Sequence, residues 1–431
     1  MAKQQYIYDI DERPPLRYGL LYGLQWTIIM FPALIIISTM VGKAFHLEPM
    51  EEVRFLQLLL LTSGFFTAIQ SLWGHRYPVL EGPATALLLT FIVLAPYGIQ
   101  NIQGGTILGG ALLICLVLTG EMKKVISFAT PNVVGVILML IAFTLLPYLA
   151  RSMAGVNPAH PHGEAWVFFI SLGLVLLMAA FSYWLTGVWK TVSLLIGMAV
   201  GAFIFFLLDL PSLHPLSAAP WVSVPNQWIP SRPTFYWPAL VAFASSYVAV
   251  MVNSLGSLHG IANLTDKERL PSAISRGIFF NGVSGIFCGL FGIVGTVCYS
   301  TSPGVILANR VASRFTVACC GIVLIIAAFV PKLSALLALV PPPVVGAALC
   351  VAMGAQVGAG LAIVSTDEVS SRDYFVVGLP MLLGTLVGFL PDALIASMPP
   401  SLRVFLGNGL LVGIFLVLLL EHLVMRKKAD K

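Results

Sequence analysis

The sequence predicts an all-α integral membrane protein of fourteen transmembrane segments, arranged as a seven-plus-seven inverted repeat, with short extended stretches and half-helices in segments three and ten. Three observations carry this: the composition, the number and charge alternation of the apolar runs, and a matched pair of short, broken apolar segments. Of the 431 residues, 58% are hydrophobic and only 10% are charged, with a mean hydropathy of +0.95. A soluble domain carries about 25% charged residues, so this chain lacks the charge to cover a water-facing surface. The net charge of +5 does not point to nucleic acid, because the basic residues are scattered through loops. The six cysteines lie in apolar stretches without a CxxC pair, and read as small buried hydrophobes. His160 and His162 have a weak metal-like spacing but no cluster of acidic or thiol partners with them, and read as a solvated loop.

The apolar runs fall near 20–41, 53–73, 83–96, 104–121, 131–150, 165–185, 191–210, 235–257, 273–293, 303–314, 315–333, 341–363, 374–391 and 402–424. A span needs about 20 apolar residues, fewer where it is broken and buried in protein; the third and tenth are the short ones. With the N-terminus inside, seventeen of the 23 basic residues fall on the inner side and six on the outer. That bias follows the retention of Lys and Arg on the cytoplasmic side, and moving any one span would scramble it. The expected location is the inner (plasma) membrane, multi-pass, with the tails 1–19 and 425–431 cytoplasmic. The longest polar break, 211–233, divides the spans seven and seven. An odd number per half brings the second half into the membrane from the opposite side, so the halves, if repeats, are inverted ones.

The broken segments are Tyr77-Pro-Val-Leu-Glu-Gly-Pro-Ala-Thr-Ala86 and Tyr299-Ser-Thr-Ser-Pro-Gly-Val-Ile-Leu-Ala308, with Gly82 and Gly304 222 positions apart. Paired short, Gly/Pro-interrupted segments in corresponding halves point to a transporter's binding site. Tyr77 to Leu80 is expected to enter extended and Pro83 to open a half-helix. Val297 to Thr301 descends from the other side, with Pro303-Gly304 opening the second. The two helix N-termini then face one another with unsatisfied N–H donors. A small ligand bearing carbonyl oxygens or an anionic group would be held there, near Thr85, Thr301, Ser302 and Gly304.

Glu81 is the sharpest single residue. An acid near the bilayer midplane costs several kcal/mol unless protonated, paired or hydrated, so it is expected to contact substrate or carry a proton; the bland alternative is pairing with His75 or Arg76. In span eight, Asn253, Ser257 and Gly260 share one helical face, and Gly256 is expected to permit close packing. The Asn253 amide offers a donor and an acceptor, complementary to the imide or amide edge of a nucleobase; the alternative is ordinary interhelical bonding. Gln25 in span one carries a similar amide, with helix packing as its alternative. An enzyme is not expected, since no HExxH, GxSxG or paired acids occur within the spans, nor is an ATP-driven pump, since GxxxxGK[ST] is absent. No loop is long enough to form a receptor's extramembrane domain.

The pieces Gly23-Leu-Gln25, Glu81-Gly-Pro-Ala-Thr-Ala86, Asn281-Gly-Val-Ser-Gly-Ile-Phe-Cys-Gly289, Tyr299-Ser-Thr-Ser-Pro-Gly-Val305, Arg310-Val-Ala-Ser-Arg314 and Pro341-Pro-Pro-Val-Val-Gly346 together resemble the nucleobase–ascorbate transporter family of uracil/xanthine permeases, in that family's order and over nearly the whole chain. The resemblance implies a core (transport) domain of 20–121 and 235–333 and a gate domain of 131–210 and 341–424, with transport by movement of core against gate. It implies a nucleobase or similar small heterocycle as substrate and proton coupling as the energy source. No cofactor or metal is expected; membrane lipid and a homodimer through the gate domain are. Three departures stand out. The family's span-eight acid aligns with Asn253, its span-three aromatic with Thr85, and its tenth-span Gln/Glu-Asn-x-Gly with Thr301, Ser302, Pro303 and Gly304, Asn309 standing at the following Thr position. Smaller neutral groups thus replace the usual contacts, and Glu81, where members often carry Gln, would supply the missing acid. The rival on the same architecture is an anion or carboxylate permease, to which facing helix dipoles are suited; an uncoupled facilitator is a third reading.

Overall fold

A computed structural model describes residues 6–122, 128–157, 160–208, 214–226, 231–366 and 369–426. Lys3, Lys123, Lys124, Lys427, Lys428 and Lys431, all counted to the inner side above, lie outside these, as do 211–213 and 227–230 of the mid-chain break. The first half comprises α1 (Leu16–Phe45), α2 (Pro49–Leu72), β1 (Glu81–Pro83), α3 (Thr85–Leu94), α4 (Ile99–Leu118), α5 (Pro131–Phe143), α6 (Leu146–Met153), α7 (Ala165–Trp184), α8 (Gly187–Thr191) and α9 (Ser193–Leu208). After the short α10 (His214–Ala218) come α11 (Trp237–Leu264), α12 (Leu270–Phe291), β2 (Thr296–Cys298), α13 (Ser302–Asn309), α14 (Arg314–Ala328), α15 (Pro331–Ala338), α16 (Pro342–Val364) and α17 (Ser371–Val387). The short α18 (Asp392–Ala396) and α19 (Pro400–Leu406) lead into α20 (Gly409–Leu419).

Among the described residues eight helices are long and apolar enough to cross a membrane, α5 and α6 counting together as one (Pro131–Met153), and a ninth span forms if α14 and α15, bent by 92° at their junction, are taken together. The bend falls at Pro331, which opens α15 and cannot donate to a continuing helix. Segments three and ten are short, as expected, at ten and eight helical residues. Each is preceded by a three-residue strand, and β1 and β2 pair antiparallel with Glu81 opposite Cys298.

The helices pack in two groups. In one, α14 lies on α2 and α12 on α4, while α1 crosses α14 and α11 crosses α4. In the other, α16 lies on α5 and α7, and α17 on α20 and α5. The pattern is reciprocal. Segment two meets eleven as nine meets four, and segment one meets eleven as eight meets four, as an inverted repeat requires. Glycine permits both close contacts: a Cβ on Gly64 would stand 2.6 Å from the Gly321 carbonyl oxygen, and one on Gly110 2.5 Å from that of Gly282. Such small-residue contacts are how helices approach one another in lipid, where hydrophobicity gives no drive to associate. Gly256 does not behave this way. A Cβ there would meet open space, so no neighbouring helix approaches closely at this position.

Candidate functional site: a cavity between paired half-helices

The strand pair explains how two broken segments meet. Continuing past it, the Tyr299 amide donates to the Leu80 carbonyl at 2.9 Å and the Ala84 amide to the Gly295 carbonyl at 2.8 Å. Each segment thus satisfies the other's backbone where no water is at hand. Gly82 makes room for the Tyr299 ring, since a Cβ would lie 2.4 Å from it, and the Tyr299 hydroxyl donates to the Pro83 carbonyl at 3.3 Å. Pro83 therefore ends the strand and does not open the helix; α3 begins at Thr85 with Ala84 as its cap.

The two helix N-termini differ. In α3 the amides of Thr85, Ala86 and Leu87 precede the first intrahelical bond, made by Leu88 to Ala84, and so have no acceptor among the described residues. In α13 the donors are largely spent: Ser302 N bonds Tyr299 O, Gly304 N and Val305 N bond Thr301 O, and Pro303 has no N–H. The expected symmetric pair of donor sites is thus one-sided, because the turn from Tyr299 to Thr301 folds back onto its own helix.

A cavity of about 270 Å³ lies at this junction, lined by α1, the two broken segments and α11 on one side and by α5 and α16 on the other. Its polar lining is Thr85, Asn253, Ser300, Thr301, Gln356 and Tyr299, the rest being apolar, and no charged side chain among the described residues reaches it. Of the sequence-predicted residues, Thr85, Asn253 and Thr301 come together here. The Asn253 amide has no hydrogen-bond partner among the described residues, which leaves it open to a ligand.

The other candidates lie behind this wall. Ser257 donates to the carbonyls of Asn253 and Cys298 at 2.9 Å each, and Ser302 accepts from the Leu80 amide at 3.2 Å; both hold the scaffold. Gly304 is exposed, with open space around it, yet it lines no part of the cavity. Gln25 donates to Asn309 Oδ1 at 3.1 Å and to Thr191 Oγ1 at 3.3 Å, tying α1 to α13 and α8. Glu81 is fully buried away from the cavity. Cys298 Sγ donates to its Oε1 at 2.8 Å, Asn281 Nδ2 to its Oε2 at 2.9 Å, and His75 Nε2 stands 3.7 Å from Oε1. The strand register causes this: Glu81 lies opposite Cys298, so its side chain leaves the pair on the face away from the cavity. His75, Glu81 and Cys298 converge closely enough to consider a metal ion. The thiol–carboxylate separation, however, is that of a hydrogen bond, and Asn281 occupies the second oxygen.

Ser300 and Gln356 escaped the sequence reading. Gln356 had one signal, as the single amide in the apolar run 341–363; an isolated polar group within a span is a functional candidate by default.

A cavity lodged between two helix groups, at the meeting of paired half-helices, defines a multi-pass membrane permease. The chain belongs to the Permease family, whose xanthine/uracil permease profile matches residues 18–393, a family of transporters and not of enzymes. It is 25% identical over 402 residues to the uric acid permease PucK of Bacillus subtilis, covering 91% of this chain and 92% of that protein. To the uracil permease of Escherichia coli strain K12 it is 26% identical over 370 residues, covering 84% of this chain and 82% of that one. In fold it is similar to the transmembrane domain of the cyanobacterial bicarbonate transporter BicA, with a TM-score of 0.58 and 15% identity, covering 86% of this chain and 96% of that one. That fold is the seven-plus-seven inverted repeat.

Proposed function

We propose that this permease carries a nucleobase, of the uracil or xanthine kind, or a similar small heterocycle, driven by protons, through movement of a core group (20–121 and 235–333) against a gate group (131–210 and 341–424). Residues 1–19 and 425–431 would face the cytoplasm. The observation that carries the reading is the cavity itself: it lies between the two packing groups, has apolar walls, and presents the open Asn253 amide beside the free α3 amides. An amide and a row of N–H donors complement the lactam edge of a base, and apolar walls suit its faces. The named substrates of the relatives point the same way. Thr85, Asn253 and Thr301 would touch the cargo. Glu81, which does not reach the cavity, would take up and release the coupling proton with His75 beside it. The anion reading has one observation in its favour: free donors at the α3 terminus face a cavity that holds no acid.

Thermal-shift measurements on purified protein with uracil, xanthine, urate, bicarbonate, sulfate and dicarboxylates separate the two. A ligand at a hundred times its Kd stabilises by about 2.7 kcal/mol, so a base should raise Tm by several degrees while the anions leave it unmoved. Stabilisation by anions alone would overturn the nucleobase reading.

A further inference from the structure

We infer that Gln356, on α16, is a specificity-determining contact that reads an N–H donor on the cargo from the gate side. This deepens the nucleobase reading and rests on it.

The Gln356 amide is already committed at one end. That end lies 3.0 Å from the Leu138 carbonyl oxygen on α5. A carbonyl can only accept, so the amide atom facing it is Nε2, and the orientation is fixed by chemistry. Oε1 is thereby held on the other side. It accepts from no described group and is not among the buried, unpartnered polar atoms, while the side chain lines the cavity. The result is a positioned acceptor that needs a donor.

Across the cavity the demand is reversed. At the start of α3 the amides of Thr85 and Ala86, residues that line the cavity, have no acceptor among the described residues. The Asn253 amide, unpartnered, can serve either need. A cargo that satisfies both walls carries a carbonyl oxygen or ring nitrogen on one edge and an N–H on another, as lactam-type heterocycles do. A fully deprotonated oxyanion carries acceptors only. It would leave Oε1 without a donor once the cargo displaced water from it, and a hydrogen bond lost in this way is the expensive kind. Sites that hydrogen-bond a substrate N–H reject analogues lacking it much more strongly than apolar pockets reject a methylene.

The position of Gln356 matters as much as its polarity. Asn253, Thr85 and Thr301 belong to the core group, whereas Gln356 belongs to the other. A base held by both would bridge the two bodies whose relative movement transport requires, so only a cargo with the correct N–H would draw them together.

The test is binding of xanthine and its 1-, 3- and 7-methyl derivatives, and of uracil and its 1- and 3-methyl derivatives, to wild type and Gln356→Ala. In wild type, one methyl isomer of the preferred base should bind at least about tenfold more weakly than its parent. Gln356→Ala should weaken the parent and leave that isomer nearly unchanged, so that the ratio falls toward one. Gln356→Glu keeps an acceptor but loses the bond to Leu138, and should retain part of the discrimination. A purely structural role would lower the Tm of the ligand-free protein and affect parent and isomer equally, leaving the ratio intact and overturning the inference. Failure of every base to bind wild type would instead overturn the nucleobase reading on which it stands.

Discussion

The carboxyl of Glu81 is gripped by Cys298 and Asn281, and the His75 ring completes its surroundings. The Tyr77 amide donates to His75 Nδ1 at 3.0 Å, so a neutral ring carries its hydrogen on Nε2, the nitrogen facing Glu81. Two titratable groups thus stand side by side on the scaffold that joins the half-helices, outside the lining of the cavity. Glu81→Gln should abolish uptake driven by a pH gradient while leaving counterflow exchange of unlabelled for labelled base intact. The isosteric amide gives up about one hydrogen bond, worth on the order of 1 kcal/mol, so the protein should still fold. Proton-driven uptake at wild-type rates in this variant would assign Glu81 a structural role alone. The sequence marked Glu81 as exceptional because an acid in an apolar run is conspicuous. It did not reveal which face the side chain takes, since that depends on a strand register with Cys298, 217 residues away.

The same limit governs whole elements. Hydrophobic runs and Pro/Gly breaks were enough to locate the spans, the short third and tenth segments and the inverted order, because each is a local property of composition. The stretch before α1 was legible only as a polar tail, yet it pairs with the chain through an isolated parallel bridge from Tyr8 to Val311: the Ile7 amide donates to the Arg310 carbonyl at 2.8 Å and the Ala312 amide to the Tyr8 carbonyl at 2.9 Å. It straps the end of α13 and the start of α14. Asp11 fastens it, with Arg269 Nη2 at 2.5 Å and Arg314 Nε at 2.7 Å. Nothing in the sequence pairs an acid with arginines about 260 and 300 positions on. The hydrogen bond from Arg269, joined by that from Arg314 and opposed by partial burial, holds the Asp11 carboxyl down at about 2. Because its folded value lies below its unfolded one, the stabilisation is present above about pH 4 and fades as pH falls toward 2. The Tm difference between wild type and Asp11→Asn should therefore be present at pH 5 and vanish over that window. A difference that stays constant from pH 5 to 2 would show that Asp11 acts by some other route.

At the scale of the whole molecule, two polar bridges join the helix groups at opposite ends of the cavity. Toward the N-terminal face, Gln25 on α1 bonds Asn309 on α13 and Thr191 on α8. Toward the far face, Thr90 on α3 lies 2.5 Å from the Ser246 hydroxyl on α11 and accepts from Asn408 Nδ2 at 3.1 Å. Gln25 and Ser246 stand 221 residues apart, and Thr191 and Asn408 stand 217 apart, so the bridges occupy equivalent places in the two repeats. Each uses one residue from a long crossing helix, one from a half-helix and one from the entry to the last span of its half. Breaking one bridge should favour opening at its own end. At about 1 kcal/mol per hydrogen bond, the populations of the two open forms should shift by about fivefold, in opposite senses for the two variants. Asn408 also caps α20 through Oδ1, so Asn408→Asp is the cleaner change, keeping the cap acceptor while removing the donor to Thr90. With Thr301→Cys as reporter in a background without other cysteines, Gln25→Ala should speed labelling by a membrane-impermeant thiol reagent from the N-terminal face and slow it from the far face. Asn408→Asp should do the reverse. Equal changes from both faces would mean that the bridges stabilise the fold without governing which way the cavity opens.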